Sequence, residues 1–236
     1  MLSIMNHLLH RVSAAAAVIV VCCGLVTSVS AQIYEQPYNP EKPGGGYPSH
    51  AGPGMNFPQK FADNFTLSTN ASVGTVTWVG SVWDRTMANY ESFTVEFWTS
   101  DGASPPLPET LIFDETFAMA NITAFGIDPN WDDIVEFTVN LTTPLDLSGG
   151  TEYWISVGVT LADWDPFSDF TWHAAPFVDS VLAWDRLIDG IGWRPFVDPP
   201  SFAPDLAFAL YQIPEPSSLL LVGLASLTGL GILRRR

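Results

Sequence analysis

The stretch VEFTVNLTTPLDLSGGTEYWISVGV, residues 135–159, decides the fold class. Val135, Phe137, Val139 and Leu141 alternate with Glu136, Thr138 and Asn140. Tyr153, Ile155, Val157 and Val159 alternate with Trp154, Ser156 and Gly158. A period of two puts each apolar set on one face of an extended strand, and β-branched and aromatic side chains suit that pleated surface. Ser148-Gly149-Gly150 interrupts the pattern as a turn does. The same alternation recurs at Phe93, Val95 and Phe97 and at Leu206, Phe208 and Leu210, with less regular candidates over Val73 to Trp83 and Thr110 to Phe117. Asp101-Gly102, Pro105-Pro106 and Asp128-Pro129-Asn130 separate these runs, and from Phe61 to Ile213 no long segment has a helical period. Roughly eight to ten short strands with turns between them predict an all-β fold, an antiparallel β-sandwich, jelly-roll-like.

Charge narrows the partners. The chain has 236 residues and a formal net charge of -16. Between Gln32 and Ile213 lie 24 of its 25 acids and 5 of its 9 Lys and Arg, a local charge of -19. No nucleic-acid partner is expected, because phosphate binding needs clustered cations, and an anionic lipid surface is disfavoured for the same reason. The acidity itself serves solubility and mutual repulsion. Both cysteines, Cys22 and Cys23, sit in an N-terminal apolar run, so removal of that run leaves no thiol for a disulfide, a metal or a nucleophile.

The two ends read as targeting segments. His7, His10 and Arg11 precede the short apolar run Ala14 to Val26, and Thr27 to Ala31 are small residues of the kind a signal peptidase accepts. Residues 1–31 are therefore read as a signal peptide cut after Ala31. A lipoprotein signal is the rival, although Val21 stands before Cys22 where a small residue is wanted. Residues 32–58, dense in Pro and Gly, are read as an extended or disordered linker. Residues 59–212 are the sandwich. Residues 213–236 hold Pro214-Glu215-Pro216, an apolar run from Ser218 to Leu233, and Arg234-Arg235-Arg236. As a helix that run spans roughly 24 Å, slightly short of a typical hydrocarbon core, and the three arginines favour the cytoplasmic side.

Proline-glutamate-proline, a transmembrane run and a terminal arginine cluster, in that order, resemble the PEP-CTERM sorting signal of bacterial exported proteins. The resemblance implies an exosortase as processing partner, transient insertion in the inner membrane, and final placement at the cell surface or in an exopolysaccharide matrix. Phe61 to Phe65, Gly150 to Val157 and Asp205 to Phe208 also look like strands of sandwich domains found in such proteins.

Candidate ligand residues are aromatic and acidic. Aromatic faces stack on sugar rings, so Trp154, Trp164, Trp172, Trp184 and Trp193 are a candidate carbohydrate-binding set. The competing assignment is core packing, since aromatics dominate buried area. Asp163, Asp165 and Asp169 flank Trp164 and offer hard oxygen ligands to calcium, but their spacing is not that of an EF-hand loop, and turn-capping explains loop aspartates equally well. Apart from that calcium no cofactor is expected. No nucleophile elbow is present, and a carboxylate pair carries little signal in so acidic a chain, so no catalytic residue is assigned. The expectation is a non-catalytic structural or adhesive matrix component, with a carbohydrate-binding module as the alternative and a glycoside hydrolase behind both.

Overall fold

The structure is a computed structural model. It describes residues 30–40, 46–51, 59–82, 87–88, 90–127, 134–162, 170–175, 182–186, 192–195 and 205–213, without the side chains of 46, 50, 51 and 182–186. Among them no helix is long and apolar enough to cross a membrane. The expected signal helix and the apolar run 218–233 lie outside the described residues.

Fourteen strands, numbered in chain order, form two seven-stranded sheets among the described residues. The first sheet holds β1 (Ala31–Gln36), β2 (Gly46–Pro48), β5 (Ala71–Val82), β8 (Thr123–Gly126), β9 (Ile134–Leu147), β11 (Phe170–His173) and β14 (Phe208–Gln212). Its axis is β5. One side of β5 pairs with β9, and the other pairs with β14 over its first half and β11 over its second. The second sheet holds β3 (His50–Ala51), β4 (Gln59–Thr66), β6 (Tyr90–Ser100), β7 (Pro108–Ala118), β10 (Glu152–Leu161), β12 (Leu182–Arg186) and β13 (Arg194–Pro195), with β10 between β4 and β6. The pairings are antiparallel apart from β3 on β10, which is parallel.

Alternation explains the core. Phe93, Val95 and Phe97 of β6 and Val135, Phe137, Val139 and Leu141 of β9 are all buried. Rings from the two sheets meet between them: Phe93 lies 5.3 Å from Trp78, 5.0 Å from Phe137 and 4.9 Å from Phe170, centroid to centroid. Phe65 meets Phe208 at 5.8 Å. Each fully buried ring contributes about 1.5–3 kcal/mol of transfer free energy, with tilted and edge-on pairs adding to it. The two sheets therefore face each other over one aromatic core.

One departure from a simple ladder has a visible cause. Between Val73 and Thr75 the partner on β9 jumps from Leu145 to Asn140, so Leu141 to Pro144 bulge out. Pro144 has no N–H to give a ladder, which places it at such an irregularity. The Glu115 carboxylate of β7 takes up the bulge by accepting from the Thr142 N–H (3.0 Å) and hydroxyl.

The stretch 32–58 is not a linker throughout. Residues 31–36 pair into the first sheet as β1, and 46–48 and 50–51 add a short strand to each sheet. Tyr34 stacks on Phe208 at 5.4 Å, Tyr47 meets Phe61 at 4.8 Å, and fully buried Ser49 donates to the Val157 carbonyl at 2.5 Å. Scarcity of aliphatic residues misled the sequence reading, because here tyrosine rings and one serine supply the contacts.

Candidate functional site

Strands β4, β10 and β6 run side by side, and their registers bring one set of side chains to the outer face of the second sheet. Trp154 of β10 sits opposite Asn64 of β4 and Trp98 of β6, while Ser156 sits opposite Ala62 and Glu96. Trp154 and Ala62 are fully buried and form a floor, against which Trp98, Leu107 and Trp193 pack. Trp98 and Trp193 remain half-buried, their rings 5.6 Å apart at 81°. Two walls at that angle make a corner rather than a flat platform.

A charged pair fills the corner. Lys60 Nζ lies 2.8 Å from both oxygens of the Glu96 carboxylate. The same ammonium stands 5.6 Å from the centre of the Trp98 ring and 5.7 Å from that of Trp193, within cation–π range of both. The Trp98 indole N–H donates to Glu96 Oε2 at 3.3 Å. Beside it, Glu152 accepts from Asn64 Nδ2 at 3.1 Å and from the Ser100 hydroxyl. The corner thus brings an ammonium, a carboxylate and two indole rings together on the outer face of the second sheet.

The tryptophans proposed from sequence fare differently. Trp154 is wholly buried, because Trp98, Leu107 and Trp193 cover the face that alternation leaves open. Trp172 is also wholly buried and donates its indole N–H to the Ala207 carbonyl at 2.9 Å. Neither presents a face to a sugar, and both leave the candidate set. Trp193 stays, at the corner. Trp164 and the Trp184 side chain lie outside the described residues, as do Asp163, Asp165 and Asp169. Among the described residues no group of three His, Cys, Asp or Glu could hold a metal ion.

Sequence reasoning missed Lys60, Glu96 and Trp98. A signal was there: Glu96 and Trp98 are two apart on a strand whose core face is Phe93, Val95 and Phe97, so they share the opposite face. Lys60 is one of only five cations between Gln32 and Ile213.

The other functional feature is the end of the sheet. Gln212 closes β14 opposite Val73, and the Ile213 N–H donates onward to the Ser72 carbonyl at 3.4 Å. The Ile213 side chain occupies the space over Gly74, where a Cβ would stand 1.9 Å from Ile213 Cγ1. Pro214, Glu215, Pro216 and Arg234 to Arg236 lie beyond the described residues.

Two family models match adjoining parts of the chain. A family described as a domain of unknown function, DUF7901, matches residues 33–211. The PEP-CTERM protein-sorting motif matches residues 212–236. No curated protein matches the chain. The sorting motif marks an exported protein, transiently anchored in the membrane and processed by an exosortase.

Proposed function

We propose that this chain, which belongs to the DUF7901 family, is a non-catalytic structural or adhesive component of the cell surface or extracellular matrix, delivered there by its sorting tail. The observation that carries this reading is continuity. The sorting motif begins at Gln212, the last residue of β14, so the whole two-sheet body is the cargo. Its net charge of -19 between Gln32 and Ile213 keeps such bodies apart from one another and from nucleic acid.

Mass spectrometry of the protein from its native cells, with fractionation into membrane, surface and matrix, tests the reading. The expected product begins at Gln32, ends near Pro216 and is found outside the inner membrane. A chain that still ends at Arg236 in the membrane fraction would sink it.

The Trp98–Trp193 corner favours a second reading, contact with an extracellular saccharide. A pyranose presents an apolar C–H face to an indole and hydroxyls to Glu96 and Lys60. Because the two rings stand at 81°, the corner suits one sugar unit at a time rather than a row of them. Calorimetric titration of the exported protein with the cells' own exopolysaccharide measures this. Trp98→Ala or Trp193→Ala weakens binding about tenfold, the scale of one lost aromatic contact. Binding unchanged in both variants rules the corner out.

A further inference from the structure

A stripe of apolar side chains crosses the outer face of the second sheet. Register sets it out: Trp154 of β10 lies opposite Trp98 of β6, and Trp98 lies opposite Leu111 of β7. Neighbouring strands stand about 4.8 Å apart, so the three positions span roughly 10 Å. Trp193 packs on the stripe, and Leu111 keeps 41% of its exposure. Beneath them Trp154 is wholly buried, and its indole N–H meets no acceptor among the described residues. A buried donor is costly to leave without a partner, and an oxygen brought by a ligand would complete it.

Carboxylates stand on both sides of the stripe. Glu96 comes two residues before Trp98 and lies opposite Asp114 in the β6–β7 ladder. Two residues beyond Trp98, the Ser100 hydroxyl donates to Glu152. At about 3.4 Å per residue, each flank is roughly 7 Å from Trp98 along the strand. Glu109, exposed in β7 two residues before Leu111, adds a fourth acid. Lys60 reaches the stripe as a cation, and its ammonium is held by Glu96. Arg194 follows Trp193 but lies opposite Trp184, and Trp184 opposite core-facing Phe61, so register puts Arg194 on the inner side. Among the described residues Asp114 and Glu152 have no ion-pair partner.

Lys60 shows what such a surface holds. Its ammonium sits against a carboxylate and within cation–π range of two indoles. The chain fills one such place with its own side chain and leaves two further carboxylates beside the same stripe. A peptide finds no strand to join there. β10 has β4 and β6 as neighbours and β6 has β10 and β7, so neither offers a free edge. A partner at this face binds through ring faces and charge.

We propose that the stripe binds a polysaccharide whose sugars carry free, protonated amino groups. Pyranose C–H faces lie on Trp98 and Trp193, and the ammonium groups pair with Asp114 and Glu152. A polymer of that charge also complements a body of -19 between Gln32 and Ile213, an attraction that added salt screens. This rests on the saccharide reading of the Trp98–Trp193 corner and names the class of sugar.

Calorimetric titration of the exported protein tests it at about pH 6, where carboxylates are ionised. The probes are oligomers of glucosamine, of N-acetylglucosamine and of lysine, equal in length. The glucosamine oligomer binds about tenfold more tightly than the acetylated one, and salt narrows the gap. Asp114→Asn, at an exposed site, weakens the glucosamine oligomer about two- to fivefold and leaves the acetylated one unchanged. Adding Glu152→Gln removes the remaining preference, whereas Trp98→Ala weakens both sugars alike. Equal affinity of the wild type for the two sugars overturns the amine assignment and leaves the corner reading standing. Binding of neither sugar overturns both. Lysine oligomers that bind as tightly as glucosamine overturn the sugar assignment. A full preference retained in Asp114→Asn and in the double variant overturns the placement of the ammonium groups.

Discussion

Asp63 reaches across the core to Leu206: its Oδ2 accepts the Leu206 backbone N–H at 2.5 Å, tying β4 of the second sheet to the approach of β14 in the first. Gln36 completes the link. With its amide oriented by its partners, Nε2 donates to Asp63 Oδ2 at 2.7 Å and to the Leu206 carbonyl at 2.6 Å, while Oε1 accepts from the Tyr34 hydroxyl at 3.0 Å. Asp63 is wholly buried and Gln36 nearly so. A buried acceptor removed here strands the Leu206 N–H and the Gln36 amide, both on the first sheet's side. Asp63→Ala should therefore cost about 2–3 kcal/mol of unfolding free energy, and Asp63→Asn less. Urea unfolding monitored by tryptophan fluorescence measures it. A loss below that expected of an exposed Asp would show that the link is not structural.

The Lys60–Glu96 pair should contribute modestly. Its side chains keep 20% and 15% of their exposure, so solvent screens the attraction. A double-mutant cycle with Lys60→Met and Glu96→Gln should return a coupling of about 1 kcal/mol. Raising salt should shrink it. A coupling that ignores salt would mean packing against Trp98 and Trp193, rather than charge, holds Lys60 in place.

Gly74 and Ile213 should behave as a size-matched pair. A methyl at Gly74 meets the Ile213 side chain, so Gly74→Ala should cost about 1–3 kcal/mol in the wild-type background. In an Ile213→Ala background most of that cost should vanish. Additive losses in the two single variants, measured by thermal unfolding, would contradict the contact.

Acid should loosen the β6–β7 connection first. The backbone N–H groups of Ala103 and Leu107 donate to Asp101 Oδ1 at 3.0 and 2.9 Å and hold its carboxyl below the usual aspartate range. A lowered folded value means the contribution is complete above about pH 4, the unfolded value, and is lost as pH falls further through the folded value. Asp101→Asn should flatten that acid limb while leaving neutral-pH exchange elsewhere unchanged. Amide exchange at Ala103 and Leu107 across the acid range reads it. An identical pH profile in the variant would remove Asp101 as the cause.

Alternation alone determined that this protein is all-β, and the order of three segments alone identified the sorting tail. Period two in β6, β9 and β10 survives into the structure because a half-buried strand must show it. The tail is legible because its Pro-Glu-Pro, apolar run and terminal arginines form a linear motif that needs no fold around it. Covering was decided by tertiary structure. Trp154 alternates as an outward residue yet is buried, because Trp193, from a connection far along the chain, packs over it together with Trp98. Tyr34, Gln36 and Ser49 sit in a Pro/Gly-rich stretch yet complete the sheets, because β14, β4 and β10 supply the partners. The Lys60–Glu96–Trp98 corner joins strands 36 residues apart in sequence. Such contacts are set by register between distant strands, and a local pattern carries no information about its partner's register.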